Sequence, residues 1–470
     1  MKRSIVCGLM LSAVLSLGGC GTLPSREAAA SPPQAAVSTA QLASQIVVHS
    51  PRGRLNKAQR AALIQRLEAE GKPDLLARQM AVMSDADKAH LFEGNDVKLL
   101  IDGPRTFDAM FAALEKAETS IMLESYIIED ADVAKRLSDL LKRKQAAGVR
   151  TYIIYDHVGS IGTSKSFFQE LSDQGVAVCA FNPISPLKRP GYWGINHRDH
   201  RKIIVIDGHT GFTGGINISK VYSSGSFLGS GNKRSPEEAA TDGWRDTHVE
   251  IRGPAAYGLE RMFRRTWASQ GCKGEMLPRS EVRPARAGPR VMEVIASGPK
   301  ETEGDIYLSL LAAIDASKQS VHLTMAYFAP GQDMVQALVD AAQRGVDVSL
   351  VLPSLSDFKP VLYAGRSYYE QLLGGGVKIF ELQSAVLHAK TGVVDGVWST
   401  VGSSNMDWRS FAMNDEVNVV VLGDDFGRDM AALFQRDVKA SKQITLKDWK
   451  ERPASERIKE WMSRVWERVM

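Results

Sequence analysis

Apolar and polar positions along the chain follow two periods, and from about residue 95 the periods alternate. Val97 to Ile101 reads as a strand, Thr106 to Ala117 as a helix and Ser120 to Ile127 as a strand. A helix over Val133 to Ala147 then ends at Gly148, and Val149 to Tyr155 is an apolar strand. The same order returns downstream: strand Val291 to Ile295, helix Asp305 to Ala316, strand Ser320 to Tyr327, helix Asp333 to Arg344 ending at Gly345, and strand Val346 to Leu352. Tyr126 answers to Tyr327 and Gly148-Val149 to Gly345-Val346, at separations of 201 and 197 residues. Intervals of that size mark a duplication and are far too long for a solenoid. The expected fold class is therefore α/β, built as two similar α-β-α halves.

The flanks carry other patterns. Leu63, Ile64 and Leu67, then Leu75, Leu76, Met80 and Met83, are spaced as on helices, so residues 49–94 read as a helical lead-in. Pro278, Pro284 and Pro289 mark residues 274–289 as a linker. The first half is then expected over 95–273, the second over 290–445, and a helical tail over 446–470. In the tail, Ile458, Trp461, Met462, Val465 and Val469 form a stripe with Lys459, Arg464 and Arg468 on other faces. Packing against the body is the expectation for this stripe, and membrane contact the alternative.

Length and charge narrow the classes. The chain has 470 residues, beyond the ~250–300 at which single cores stop growing, as two halves require. A net charge of +4, from 58 Lys+Arg against 54 Asp+Glu, gives no electrostatic footprint for nucleic acid. The N-terminus reads as an export signal over 1–19: Lys2 and Arg3, an apolar run from Ile5 to Leu17, and Leu17-Gly18-Gly19-Cys20. That run is too short for a bilayer core of ~30 Å. The small residues before Cys20 resemble a bacterial lipobox, in which the cysteine is lipidated and begins the mature chain; a plain secretory signal is the alternative. Residues 20–48, rich in Ala, Ser and Pro, read as a tether from that anchor. Loss of 1–19 removes Lys2 and Arg3 and no acid, which leaves +2. Four cysteines are too few and too scattered for a disulfide framework or a paired-ligand zinc site, and Cys179 and Cys272 receive no role.

The chemistry lies in two matching segments. One runs from His200 through Lys202 and Asp207-Gly208 to Gly214-Gly215-Ile216-Asn217; the other from His388 through Lys390 and Asp395-Gly396 to Gly402-Ser403-Ser404-Asn405. Measured from each histidine, Lys, Asp, Gly, Gly and Asn recur at the same five offsets. With each residue type near 1/20 of positions, chance reproduces this about once in a million histidine pairs. His and Lys two apart on a strand project to one face, so both can line one cleft. Asp-Gly suits a tight turn that returns the chain as a hairpin, carrying the Gly-rich segment and its Asn beside the His and Lys. Glycine there would let the backbone approach a phosphate closely.

These two H-x-K-x4-D segments resemble the phospholipase D superfamily over roughly residues 95 to 440. Asn405-Met406-Asp407-Trp408-Arg409-Ser410-Phe411-Ala412-Met413-Asn414-Asp415-Glu416 and Asn196-His197-Arg198-Asp199-His200 are similar to its bacterial cardiolipin synthase branch. The resemblance implies that the halves pack around one shared active site where the two histidines meet. His200 would be the nucleophile that forms a phosphohistidine, and His388 the general acid and then base, an order open to reversal. Lys202, Lys390, Asn217 and Asn405, supported by Gly215 and Ser403, would hold the phosphate. Asp246 and Glu416 occupy the positions of the carboxylates that fix the histidines. Asp207 and Asp395 belong to the motif's catalytic set, though bracing the turn suits them better than direct chemistry.

The implied function is phosphatidyl transfer from phospholipid to an alcohol acceptor, with phosphatidylglycerol or phosphatidylethanolamine as substrates, at a membrane of the cell envelope facing the periplasm. No cofactor or metal is called for, no nucleic acid is expected as a partner, and the oligomeric state stays open. A phospholipase D releasing phosphatidic acid is the first rival, a nuclease of the same superfamily the second. Loops Phe181 to Trp193 and Tyr222 to Asp242 either shape substrate access or are variable surface. A metal site from His197, Asp199, His200 and Asp246 is disfavoured for want of a paired spacing, and His209, His248 and His322 are read as bystanders.

Overall fold

The computed structural model describes residues 46–70, 75–80, 90–184, 196–226, 243–278, 286–299 and 305–465, together with Leu23, Arg26 and Glu467. Residues 1–19, read above as an export signal, Cys20, nearly all of the expected tether and most of both loops beside the first motif lie outside these residues.

Fourteen strands form the two halves. The first contains β1 (His90–Ile101), β2 (Ser120–Ser125), β3 (Arg150–Asp156), β4 (Ala177–Phe181), β5 (Lys202–Ile206), β6 (Thr210–Gly214) and β7 (Thr247–Arg252). The second repeats them as β8 (Arg290–Ser297), β9 (Ser320–Met325), β10 (Asp347–Pro353), β11 (Lys378–Leu382), β12 (Lys390–Val394), β13 (Trp398–Gly402) and β14 (Glu416–Leu422). Pairing gives β4-β3-β2-β5-β6-β7-β1 and, in the same order, β11-β10-β9-β12-β13-β14-β8. In each half the first three strands of that order are parallel and the rest antiparallel. β1 pairs antiparallel with β8, Phe92 opposite Met292, so one mixed sheet runs through both halves.

Helices cover both faces of each half. In the first, α2 (Asp102–Leu114), α3 (Asp132–Ala146) and α4 (Lys165–Asp173) bury Phe107, Phe111, Leu140 and Leu171 against Leu123, Ile153 and Ile204. The lead-in helix α1 (Lys57–Glu70) precedes them. On the inner face, α5 (Ala256–Ser269) buries the stripe Leu259, Phe263 and Trp267 against Met122, Ile203 and Val205. The second half has α6 (Asp305–Ala316), α7 (Gly331–Gln343), α8 (Lys359–Arg366), α9 (Tyr369–Gly374) and, as the counterpart of α5, α10 (Asp424–Lys439). Phe426 and Met430 of α10 join the same cluster as Phe263, together with Val393, Val401 and Val419. The inner core is thus shared, and at about 1.5–3 kcal/mol per buried large side chain it holds the halves together.

Three features depart from the sequence reading. Residues 90–94, assigned to the helical lead-in, form the first part of β1, and residues 47–50 and 53–54 are short strands. Leu91 and Phe92 are buried because β1 is flanked there by β8 and by residues 47–49. The rest of the lead-in packs on the second half: Leu63, Leu67 and Met80 cluster with Ile306 and Leu310. Cys179 and Cys272 are joined by a disulfide that ties edge strand β4 to the turn after α5. In the tail, α11 (Ala454–Val465) turns Ile458, Trp461, Met462 and Val465 to solvent instead of packing them on the body.

Candidate active site

β5 and β12 lie antiparallel to β2 and β9, with Lys202 opposite Ser125 and Lys390 opposite Met325. His200 and His388, two residues before those lysines, therefore sit at the carboxyl ends of the parallel strands, where α/β sheets open into crevices. At the far end of each hairpin, Asp207-Gly208 and Asp395-Gly396 occupy tight turns with positive φ throughout. Asp207 accepts from the backbone N–H of Glu118, Thr119 and Ser120 and from the Thr119 hydroxyl; Asp395 accepts from those of Lys318, Gln319 and Ser320. Five strand residues, about 16 Å, separate them from the histidine end. Both aspartates clamp the hairpin turn to the chain leading into β2 or β9, at the end of the strand away from the histidines.

Each histidine is built into the other half. The His200 N–H donates to the carbonyl of Asp415 at 2.9 Å, and the His388 N–H to that of Arg245 at 2.8 Å. The residue after each partner supplies the carboxylate. His200 Nδ1 lies 3.0 Å from both oxygens of Glu416, and His388 Nδ1 lies 2.7 Å from Oδ2 of Asp246. The carboxylates read from the sequence as fixing the histidines are thus exchanged between the halves. With both Nδ1 atoms committed, Nε2 is the nitrogen left for chemistry.

Gly215 and Ser403 each lie against a carboxylate. A Cβ on Gly215 would lie 2.1 Å from an Asp246 oxygen, so only glycine admits that carboxylate. In its place in the other copy, the Ser403 hydroxyl donates to Glu416 at 2.5 Å. Asn217 and Asn405 are buried; Asn217 Oδ1 accepts from the Ile127 N–H, while Asn405 Oδ1 has no hydrogen-bond partner among the described residues. Lys202 and Lys390, also buried, each donate to the carbonyl of their own histidine.

Burial sets the protonation states. It lowers Lys202 to about 7, against the pull of Glu416, and Lys390 to about 8, against that of Asp246 and Glu416. His200 falls well below its usual value through burial and the charges of Lys202 and Lys390. His388 falls through burial and Lys390, and Asp246 works against that fall. Burial raises Glu416 to about 7, whereas it opposes but does not prevent a net lowering of Asp246, brought about by His388.

Several neighbours went unassigned in the sequence. Tyr126 packs edge-on to His200 at 4.9 Å between centroids, and Tyr327, its counterpart, stands 6.5 Å from His388. Their recurrence in the duplication was the available signal. The Tyr222 hydroxyl lies 3.0 Å from His388 Nδ1, and Trp244 is 5.3 Å from that ring. Behind His200, buried Glu124 and Asp199 face Arg201, whose guanidinium donates to the Glu416 carbonyl and the Thr266 hydroxyl. Behind His388, Arg245 makes a bidentate pair with Asp437, 2.8 Å on each side. His197 stands 3.0 Å from Asp415, while Asp246 belongs to His388, so the four residues weighed as a metal site do not converge. His209 is exposed, and His248 is buried with neither ring nitrogen partnered among the described residues.

Compared with known proteins, residues 110–225 and 310–438 match a family described as cardiolipin synthase, PLD-like domain. The chain is 37% identical over 373 residues to a cardiolipin synthase of Geobacillus sp. (strain WCH70), covering 79% of this chain and 71% of that one. It is 35% identical over 382 residues to one from Listeria monocytogenes serotype 4b (strain CLIP80459), covering 81% and 76%. In fold it is similar to the crystal structure of phosphatidylserine synthase from Haemophilus influenzae Rd KW20, with a TM-score of 0.55 and 13% identity over 79% of this chain and 93% of that one.

Proposed function

The chain belongs to the cardiolipin synthase family with its phospholipase D-like domain, and from that premise we propose that it transfers a phosphatidyl group between alcohols through a covalent phosphohistidine. The observation that carries this reading is the exchange of carboxylates, His200 with Glu416 and His388 with Asp246, which leaves an Nε2 on each histidine for one phosphate.

His200, held neutral, attacks phosphorus through Nε2; the bond from phosphorus to the leaving alcohol breaks as His388 delivers its Nε2 proton to that oxygen. The acceptor hydroxyl then gives its proton to His388 and attacks phosphorus, and the bond to His200 breaks. Both histidines are lowered, His200 the further: Asp246 offsets part of the fall that burial and Lys390 cause at His388, which makes His388 the readier acid, whereas burial, Lys202 and Lys390 keep His200 neutral. Lys202, Lys390, Asn217 and Asn405 meet the non-bridging oxygens as charge grows on them.

Phosphatidylglycerol and phosphatidylethanolamine are the proposed donors, with a phospholipid alcohol or glycerol as acceptor. An envelope location, facing the periplasm and anchored by lipid on Cys20, agrees with the Cys179–Cys272 disulfide, a bond that persists in oxidising compartments. Purified protein given phosphatidylglycerol, with product masses measured, tests the function. Cardiolipin in the wild type is the expected product, falling on the order of 10⁴-fold in His200→Ala and His388→Ala. Phosphatidic acid as sole product, even with added glycerol, would overturn the transferase reading, and undiminished product from either variant the covalent one.

A further inference from the structure

Among the described residues six large apolar side chains are exposed: Ile161, Phe358, Ile458, Trp461, Met462 and Val465. Their placement is not scattered. Ile161 follows β3 and Phe358 follows β10, the same place in the two halves, at the strand ends where the histidines sit. Gly159, in the Ile161 turn, packs against Tyr126, whose ring meets His200. Asp357, beside Phe358, accepts from the Tyr327 hydroxyl at 2.8 Å, next to His388. Both exposed side chains therefore stand on the rim of the site.

The other four belong to α11, which packs on α8, the helix that begins immediately after Phe358. α11 is docked by its polar face. Buried Glu460 pairs with Arg452 at 2.7 Å, and the Arg464 guanidinium lies 4.6 Å over the Tyr368 ring. Ile458, Trp461, Met462 and Val465, at i, i+3, i+4 and i+7, make a continuous outward stripe. At 100° per residue, exposed Arg457 and Arg464 flank it on one side and exposed Lys459 on the other. Glu456, paired with Lys459 at 2.7 Å, lies toward the body.

An apolar stripe with a tryptophan, edged by cations, has the chemistry of a helix lying in a bilayer interface. The flanking cations favour anionic headgroups over the like cations of a second copy. We propose that α11 inserts Ile458, Trp461, Met462 and Val465 at the boundary of headgroups and acyl chains of a membrane containing anionic phospholipid, and that the rim bearing Ile161 and Phe358 faces the same surface. Only this orientation of the site rests on the phospholipid reading above; the docking itself does not.

The full chain carrying Cys20→Ser, so that no acyl anchor contributes, is floated with vesicles of mixed phosphatidylglycerol and phosphatidylcholine. Ile458→Glu with Met462→Glu is expected to weaken binding roughly tenfold or more. Acyl-brominated lipid should quench fluorescence that Trp461→Phe removes. Turnover of a soluble short-chain phosphatidylglycerol should be equal in the parent and the double variant, and turnover of vesicles lower in the variant. Undiminished vesicle binding, indifference to phosphatidylglycerol content, or a dimer in the absence of lipid that the double variant dissolves would each overturn the proposal. Lipid binding that responds to the variants in a protein that turns over neither substrate sinks the phospholipid reading and leaves the docking standing.

Discussion

The surroundings of His200 and His388 are related by duplication in backbone and differ in charge. Both histidines take their orienting carboxylate from the opposite half, through the same backbone hydrogen bond to the preceding residue. Around His388 the carboxylate is the short Asp246, admitted by Gly215, with Arg245 and Asp437 behind it. Around His200 it is the longer Glu416, held by Ser403, and the buried groups behind it are Glu124, Asp199 and Arg201. Asp246 stays below the usual carboxylate range while Glu416 rises to about 7. Both histidines fall below their usual value, His200 the further, so the symmetric frame leaves His388 the more readily protonated of the two.

The contrast predicts unequal losses. Asp246→Asn removes the charge that favours the His388 cation, and transfer should fall on the order of 10³-fold. Glu416→Gln should cost about tenfold, because Gln can still accept the Nδ1 proton and the group it replaces is only partly ionised at neutral pH. Steady-state transfer rates of the two variants check this; equal losses would break the division of labour.

A smaller effect concerns pH. Function needs Glu416 ionised and both lysines charged, so kcat/KM should climb toward about pH 7 with Glu416 and decline from about pH 7 as Lys202, and then at about pH 8 Lys390, loses its proton. Each limb approaches tenfold per pH unit. Glu416→Gln should erase the acid limb and, by removing the charge that raises Lys202, draw the alkaline limb to lower pH; only Lys202→Arg combined with Lys390→Arg should carry the alkaline limb beyond the measured range, at a reduced rate. An acid limb that survives Glu416→Gln would assign it to another group.

Why the fold was legible and parts of the site were not follows from the range of the interactions. Strands such as β9 and β12 and helices such as α3 are announced by local period and by Gly148 and Gly345 at helix ends, and the duplication confirms each from its copy. The ten motif residues share offsets that survive in one dimension. Which carboxylate serves which histidine does not, since Glu416 and His200 are 216 residues apart and meet only through the interface. The carboxylate contacts of Gly215 and Ser403 could not be read from the sequence, because a glycine near a phosphate and a glycine making room for a carboxylate leave the same trace. Cys179 and Cys272 were within reach: once Cys7 and Cys20 are set aside with the expected export signal, two cysteines remain in a chain expected to meet an oxidising compartment. The α11 stripe shows the limit of periodicity, which locates an apolar face without saying what covers it.

The smallest expected effect tests the turn aspartates, the part of each motif removed from the chemistry. Asp207 accepts four hydrogen bonds and Asp395 three, all from the loop before the neighbouring strand. Asp207→Asn leaves one oxygen and loses the charge, at about 1–2 kcal/mol of stability, an amount reduced by its partial exposure. Backbone donors hold Asp207 below its ordinary value despite the opposing effect of burial. A carboxylate depressed in the folded state adds stability that is full above its unfolded pKa and fades as pH falls through the folded one. Urea midpoints should therefore differ most between wild type and Asp207→Asn above about pH 5 and converge toward pH 3. Asp395→Asn should lose a similar amount, its one fewer bond being offset by the fuller burial of its carboxylate. Rates of transfer at saturating substrate should stay within about twofold for both, because the clamp lies a strand's length from the histidines; a loss comparable to that of Asp246→Asn would return these aspartates to the reacting set.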